Sequence, residues 1–124
     1  MPEKTLLSIV ELGGYPDFTP LYENLGYQVS LESQMRKVLK RLKKKAPDVV
    51  VAEFNFQSDF RDRTSSLESM MSMVQRMPNT KVIVFYDKEF VKQLARLQER
   101  FTFDHTFAFP IDKVKLEAGI QGLF

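Results

Sequence analysis

The chain has 124 residues, 44% of them hydrophobic and 27% charged, with a formal net charge of +2. That length suits one domain built on one hydrophobic core, and the proportions are those of a globular chain rather than a disordered one. With no cysteine and a single histidine, the sequence excludes disulfides, thiolate catalysis, cysteine-bound zinc or iron–sulfur clusters, and a histidine-rich metal site within one chain.

No apolar run approaches the length needed to cross a bilayer, and the first residues, MPEKTLLSIVEL, meet Glu11 straight after a short apolar stretch. They lack the long apolar region and small-residue cleavage site of a secretory signal, so the chain is expected in the cytoplasm, as one domain over residues 1–124. A charge of +2 does not by itself argue for nucleic acid, so any such case has to rest on local clustering.

In chain order, residues 4–10 form a short apolar run ended by Glu11 and Gly13-Gly14, which predicts a buried strand and a turn. Thr19 as N-cap, Pro20 at the first helical position and Gly26 as a stop bracket a short helix. Residues 27–31 predict a second strand. Met35, Val38, Leu39 and Leu42 then recur at helical spacing, with basic residues on the other faces and Pro47 as the end. Residues 48–54 carry the β-branched run Val49-Val50-Val51, the expected central strand. After a polar stretch, Ser65 and Glu68 give a capping-box signature for a third helix through Leu67, Met70, Met71, Val74 and Met77. Residues 80–86 repeat the strand pattern as KVIVFY, and residues 89–101 repeat the helix pattern through Phe90, Leu94, Leu97 and Phe101. Residues 105–109 predict a fifth strand closed by Pro110. Asp112 caps a last helix through Val114, Leu116, Ile120 and Leu123, which Gly119 and Gly122 weaken.

Strands alternating with helices over short connections predict an α/β fold, a doubly wound five-stranded parallel sheet of (βα)5 type. The functional crevice of such a sheet lies at the carboxyl ends of its strands, here Glu11, Glu53 to Asn55, Tyr86-Asp87 and Phe109-Pro110.

LGYQV after the first helix, APDVVVAEF at the third strand, KVIVFYD at the fourth and FAFPIDKVKL at the fifth resemble the receiver domains of bacterial response regulators, in the same order and over essentially the whole chain. The resemblance implies the flavodoxin-like strand order 2-1-3-4-5. In that family an acidic pair holds magnesium, an aspartate accepts the phosphoryl group, and a hydroxyl and a lysine read out the product. Carried across, the acidic pair falls on Glu11 and Leu12, the acceptor on Glu53, the hydroxyl on Tyr86 and the lysine on Phe109, with the following proline kept as Pro110. Moving the third strand by two residues would put Asn55 at the acceptor position. Either register implies a degenerate pseudo-receiver without the usual phosphotransfer, with no metal and no cofactor. Its expected role is a phosphorylation-independent signalling or regulatory module, not an enzyme, whose partner is another protein or a second copy of itself.

The family's usual binding surface, made by the fourth helix, fifth strand and fifth helix, would present Lys92, Arg96, Arg100 and Lys113. Glu53 reads first as a solvated carboxylate at a strand end and second as a standing imitation of a phosphorylated aspartate. Tyr86 and Phe109 are expected to fill the vacated pocket with aromatic packing. A divergent small-molecule or metal site built on Glu11, Glu53 and Asp87 is the alternative, although no nucleophile, cofactor fingerprint or cationic clamp accompanies it.

The second helix carries seven lysines or arginines over residues 36–45 and no acid, among them Arg36, Lys37, Lys40, Arg41 and Lys44. A solvated face is the favoured account, with nucleic-acid binding behind it, since no aromatic residue is present to stack on a base. Gly13-Gly14-Tyr15-Pro16 sits where nucleotide folds bind phosphate but matches no phosphate-loop pattern. The polar stretch Gln57-Ser58-Asp59-Phe60-Arg61-Asp62-Arg63 is long for a βα connection and is a docking candidate. Met70, Met71 and Met77 fall on the apolar stripe and Met73 outside it, while His105 reads as structural.

Overall fold

The computed structural model describes residues 4–10, 15–54 and 66–124, leaving aside the side chain of Ser66. Five strands, β1 (Lys4–Ile9), β2 (Tyr27–Glu32), β3 (Val49–Glu53), β4 (Lys81–Tyr86) and β5 (His105–Ala108), form one parallel sheet in the order β2-β1-β3-β4-β5. Among the described residues α1 (Thr19–Asn24), α2 (Met35–Lys44), α3 (Ser66–Val74) and α4 (Val91–Gln98) lie between successive strands, and α5 (Lys113–Gln121) follows β5. This is the α/β architecture that the alternating pattern predicts.

Two apolar layers sandwich the sheet. Leu7, Ile9, Val50, Ala52, Val82 and Val84 meet Val38 and Leu42 of α2, Met70 and Met71 of α3, and Leu94 and Leu97 of α4. On the other face Leu6, Val49, Val51, Ile83 and Phe85 meet Leu21 and Tyr22 of α1 and Leu116 and Ile120 of α5. Alternate residues of β1, β3 and β4 thus feed opposite layers, as the two-residue period of a strand requires. At the amino-terminal edge the Asp48 carboxylate accepts hydrogen bonds from the amide (2.7 Å) and hydroxyl (3.3 Å) of Thr5. Asp104 accepts from the amide of Val82 at 2.7 Å. These short aspartate contacts tie β3 to β1 and the β5 entry to β4.

Several local expectations change. Phe18, not Thr19, is the N-cap residue of α1, because the Asp17 carboxylate takes both the amide and the hydroxyl of Thr19 in a local turn. Gly26 ends that helix with φ of 94°, a conformation open to glycine. The fourth helix starts as a 3₁₀ turn, Lys88–Phe90, in which the amide of Glu89 donates to the Asp87 side chain at 2.9 Å. Met73 is half-buried against the α2–α4 layer rather than exposed, and Val114, expected on the apolar stripe of the last helix, faces solvent at 75% exposure while Leu116 and Ile120 are buried. His105 is half-buried, its ring 5.9 Å from that of Phe107. The proposed capping box at Ser65, the Gly13-Gly14 turn, Asn55 and the 57–63 segment lie outside the described residues.

Candidate functional site

The strand register decides which side chains meet at the carboxyl ends. Val51 pairs with Ile83, Glu53 with Phe85, and Phe85 in turn with Phe107. Because Val51, Ile83 and Phe85 all belong to the α1–α5 layer, Glu53, two residues after Val51, points to that same face. It is only 3% exposed, so the solvated carboxylate expected from the sequence is in fact a buried one.

Phe85 is the residue level with Glu53 on the neighbouring strand. A hydroxyl that reads a group carried at position 53 must share its face, and Phe85 occupies that place. Tyr86, given the hydroxyl position by sequence, packs instead into the α2–α4 layer. The correction follows from the period of the strand: one residue's shift in assignment moves a side chain to the other face.

An aromatic group closes over Phe85. Tyr15 lies 5.6 Å from it between ring centroids, Phe18 5.8 Å and Phe107 6.4 Å. Phe109, at the lysine position, sets its ring edge-on to Tyr15 at 5.7 Å and stays 43% exposed. The bond from Phe109 to Pro110 is cis. Aromatic filling of the strand ends is therefore present, but Phe85, Tyr15 and Phe18 supply it with Phe109, and Tyr86 does not. Sequence reasoning missed those three residues. β3 and β4 are covered on both faces, so their hydrophobic pattern carries no mark of which residues share a side.

Burial, followed by the charges of Glu53 and then Asp87, pushes the Tyr15 phenol up to about 12. Glu53 and Asp87, two of the three carboxylates in the alternative reading, thus both act on one phenol. The third, Glu11, lies outside the described residues together with Leu12.

A cavity of about 390 Å³ opens between these groups and the ends of β1 and β2. Val51, Phe85, Phe18 and Tyr22 form its apolar interior, Val10 and Leu31 its wetter edge, and Ser8, Asp17, Glu32 and Glu53 its polar lining. Asp17 is held below the usual carboxylate range by the hydroxyl and amide of Thr19, and Glu32 by its hydrogen bond with Arg41. Both remain anionic near neutrality.

Of the positions that the resemblance gives to a receiver's magnesium, Leu12 has no side-chain oxygen and a phenyl ring stands level with Glu53 on the next strand. Among the described residues, which do not include Glu11, no three histidine or carboxylate side chains converge on one point.

On the α4–β5–α5 surface Lys92, Arg96 and Lys113 are exposed. Arg100, assigned to the same surface, forms an ion pair with Glu68 of α3, which draws it toward that helix. On α2, Arg36, Lys37, Lys40 and Lys44 are exposed, and Arg41 donates to Glu32 of β2 at 2.9 Å. No helix among the described residues is long and apolar enough to cross a membrane.

No family model matches the chain, and no curated protein matches it. Solved structures do. A chemotaxis response regulator of Vibrio cholerae superposes with a TM-score of 0.73 at 13% identity, covering 99% of this chain and 100% of that one. A response regulator receiver protein from Sinorhizobium medicae gives 0.71 at 18%, covering 98% and 94%. A protein from a family of streptococcal redox sensors, described as evolved from two-component response regulators, gives 0.69 at 14%, covering 97% of this chain and 50% of that one. At these identities the likeness is one of fold, and the chain has the fold of the response-regulator receiver domain.

Proposed function

We propose that the chain is a receiver-like regulatory module that acts by binding another protein, without being phosphorylated and without catalysing a reaction. The observation that carries this reading is the pairing of buried Glu53 with Phe85. Phosphoryl transfer to a strand-end carboxylate needs a metal to neutralise the incoming oxygens and polar groups to hold the product. Here an apolar ring stands beside the carboxylate, and a second ring, Phe109, replaces the lysine.

The streptococcal sensors, described as evolved from response regulators, are a precedent for putting this scaffold to another use. The α4–β5–α5 surface supports protein binding by its composition. Val91, Phe109 and Val114 are exposed on α4, after β5 and on α5, as are Lys92, Arg96 and Lys113, so these elements offer apolar and cationic groups to a partner.

The test is exposure to magnesium with beryllofluoride, which imitates a bound phosphoryl group, and separately to acetyl phosphate. We expect unchanged amide shifts at Glu53, Phe85 and Phe109 and no added mass on the intact chain. Saturable shifts there, or a phosphoryl adduct, would show a working acceptor and overturn the reading.

A further inference from the structure

The α2 helix belongs to neither the strand-end site nor the α4–β5–α5 surface. It is tied to β2 through Arg41 and Glu32, at the edge of the sheet away from β5. Residues 36–45 hold seven lysines and arginines and no acid, and all seven are exposed. The acids of β2, the β3 entry and α3 are already engaged. Glu32 takes Arg41 at 2.9 Å and also feels the charge of Lys37, Asp48 accepts from Thr5, and Glu68 pairs with Arg100. Arg36, Lys40, Lys43, Lys44 and Lys45 remain, five cations against the four acids, Glu3, Glu11, Asp59 and Asp62, that lie outside the described residues. Even if all four were to pair with it, the face would keep a positive balance.

Two features say which polyanion fits. The first is that every exposed side chain of α2 is a lysine or an arginine. Its apolar residues are turned inward, Val38 and Leu42 into the core and Met35 and Leu39 half-buried. A protein interface is organised around an apolar centre, and a helix lying on a membrane sinks an apolar face into it. The backbone of a nucleic acid asks only for cations along its track. The second feature is arrangement. Lys37, Lys40 and Lys44, three and four residues apart, share one outward stripe roughly 10 Å long. Beside its end Arg41, Lys44 and Lys45 line a cleft of about 240 Å³ together with Ser30 and Thr5. A concave wall bearing several cations concentrates the field where a phosphate enters. With no aromatic residue on α2 to stack on an open base, the fit is to a duplex, whose charge is densest and whose bases are already stacked.

We infer that α2 binds the phosphate backbone of duplex nucleic acid without reading its sequence, with Lys40, Lys43 and Lys44 on the phosphates and the cleft at Arg41 and Lys45 beside them. Because α2 and the α4–β5–α5 surface lie toward opposite edges of the sheet, one chain can hold a protein partner and a nucleic acid together. The inference does not rest on the phosphorylation test, and either can fail while the other stands.

The experiment is a fluorescence-anisotropy titration of the full chain into two short labelled DNA duplexes, one rich in A·T and one in G·C, over a salt series, with amide NMR to locate the contact. Polyglutamate and phosphatidylserine vesicles are separate arms. Both duplexes are expected to bind alike, with a Kd of about 10⁻⁴–10⁻⁶ M at physiological salt and saturable shifts at Ser30, Lys40, Lys43 and Lys44. The triple change Lys40→Gln, Lys43→Gln and Lys44→Gln should reduce the slope of log K against log salt by about three, and each single change by about one, which carries the test should the triple variant not fold. Arginine at the same three positions should keep binding, and Lys92→Gln with Lys113→Gln, on the other surface, should leave it unchanged. No saturable binding, a slope indifferent to the glutamine changes, or binding of polyglutamate or vesicles as tight as that of the duplexes at equal salt would each overturn the inference.

Discussion

Tyr15 reports on its surroundings more directly than any other side chain at the strand ends. Its phenol is pushed from 10.0 up to about 12, by burial first and by Glu53 and Asp87 after it. Raising the folded-state value favours the protonated phenol, so this contribution to stability is fully present below pH 10 and is lost as pH climbs from 10 toward 12. Tyr15→Phe, which cannot ionise, should therefore flatten the alkaline limb of a stability-versus-pH curve. It should also remove a late step from the ultraviolet tyrosinate titration. Glu53→Gln should bring that step earlier while leaving it above the ordinary value, since the larger cause, burial, remains. A Tyr15 that titrates normally in the native chain would mean that the ring is open to water and that Glu53 does not face it.

The contact between α5 and β5 rests on a glycine. A Cβ built at Gly119 would lie 3.0 Å from the Phe107 ring and 3.4 Å from that of His105. Helix propensity alone favours replacing this residue by about 1 kcal/mol when the substitute is alanine, yet the helix can approach the edge strand this closely because the position is bare. Gly119→Val adds two further methyls in the same direction and should lower stability by about 1–3 kcal/mol in urea unfolding, with the largest amide shifts in β5. Wild-type stability in that variant would show that α5 can stand farther from the strand. Gly119 also marks a limit of sequence reading: as a weak point in a helix it was visible, but the two rings that need it bare come from another element. The same holds at Asp17, whose capture of Thr19 moves the helix start by one residue, a choice between neighbouring caps that composition leaves open.

Strand and helix order and the parallel sheet were legible because β-branched runs alternate with helical periods along the chain, whereas the order β2-β1-β3-β4-β5 was implied by the resemblance to receiver domains. The candidate site was less so. Burial on both faces hides the phase of β3 and β4, so the partnership of Glu53 with Phe85 had to come from register, and Tyr15 and Phe18 come from a connection without periodicity. What the fold does not use is equally informative. The two apolar layers are filled without Val91, at 48% exposure, or Val114, at 75%. Val114 occupies the first turn of a helix that carries no acid there, where the helix dipole favours negative charge by about 0.3–1 kcal/mol, and Val91 follows a 3₁₀ turn that already holds Glu89. The double variant Val91→Glu and Val114→Glu should accordingly keep the wild-type unfolding free energy within about 0.5 kcal/mol, or gain slightly, in urea melts. It should also disrupt any complex formed through the α4–β5–α5 surface, because it puts charge where that surface offers apolar groups. A loss of more than about 1 kcal/mol would mean that these valines pack within the chain and that the surface does not offer them to a partner.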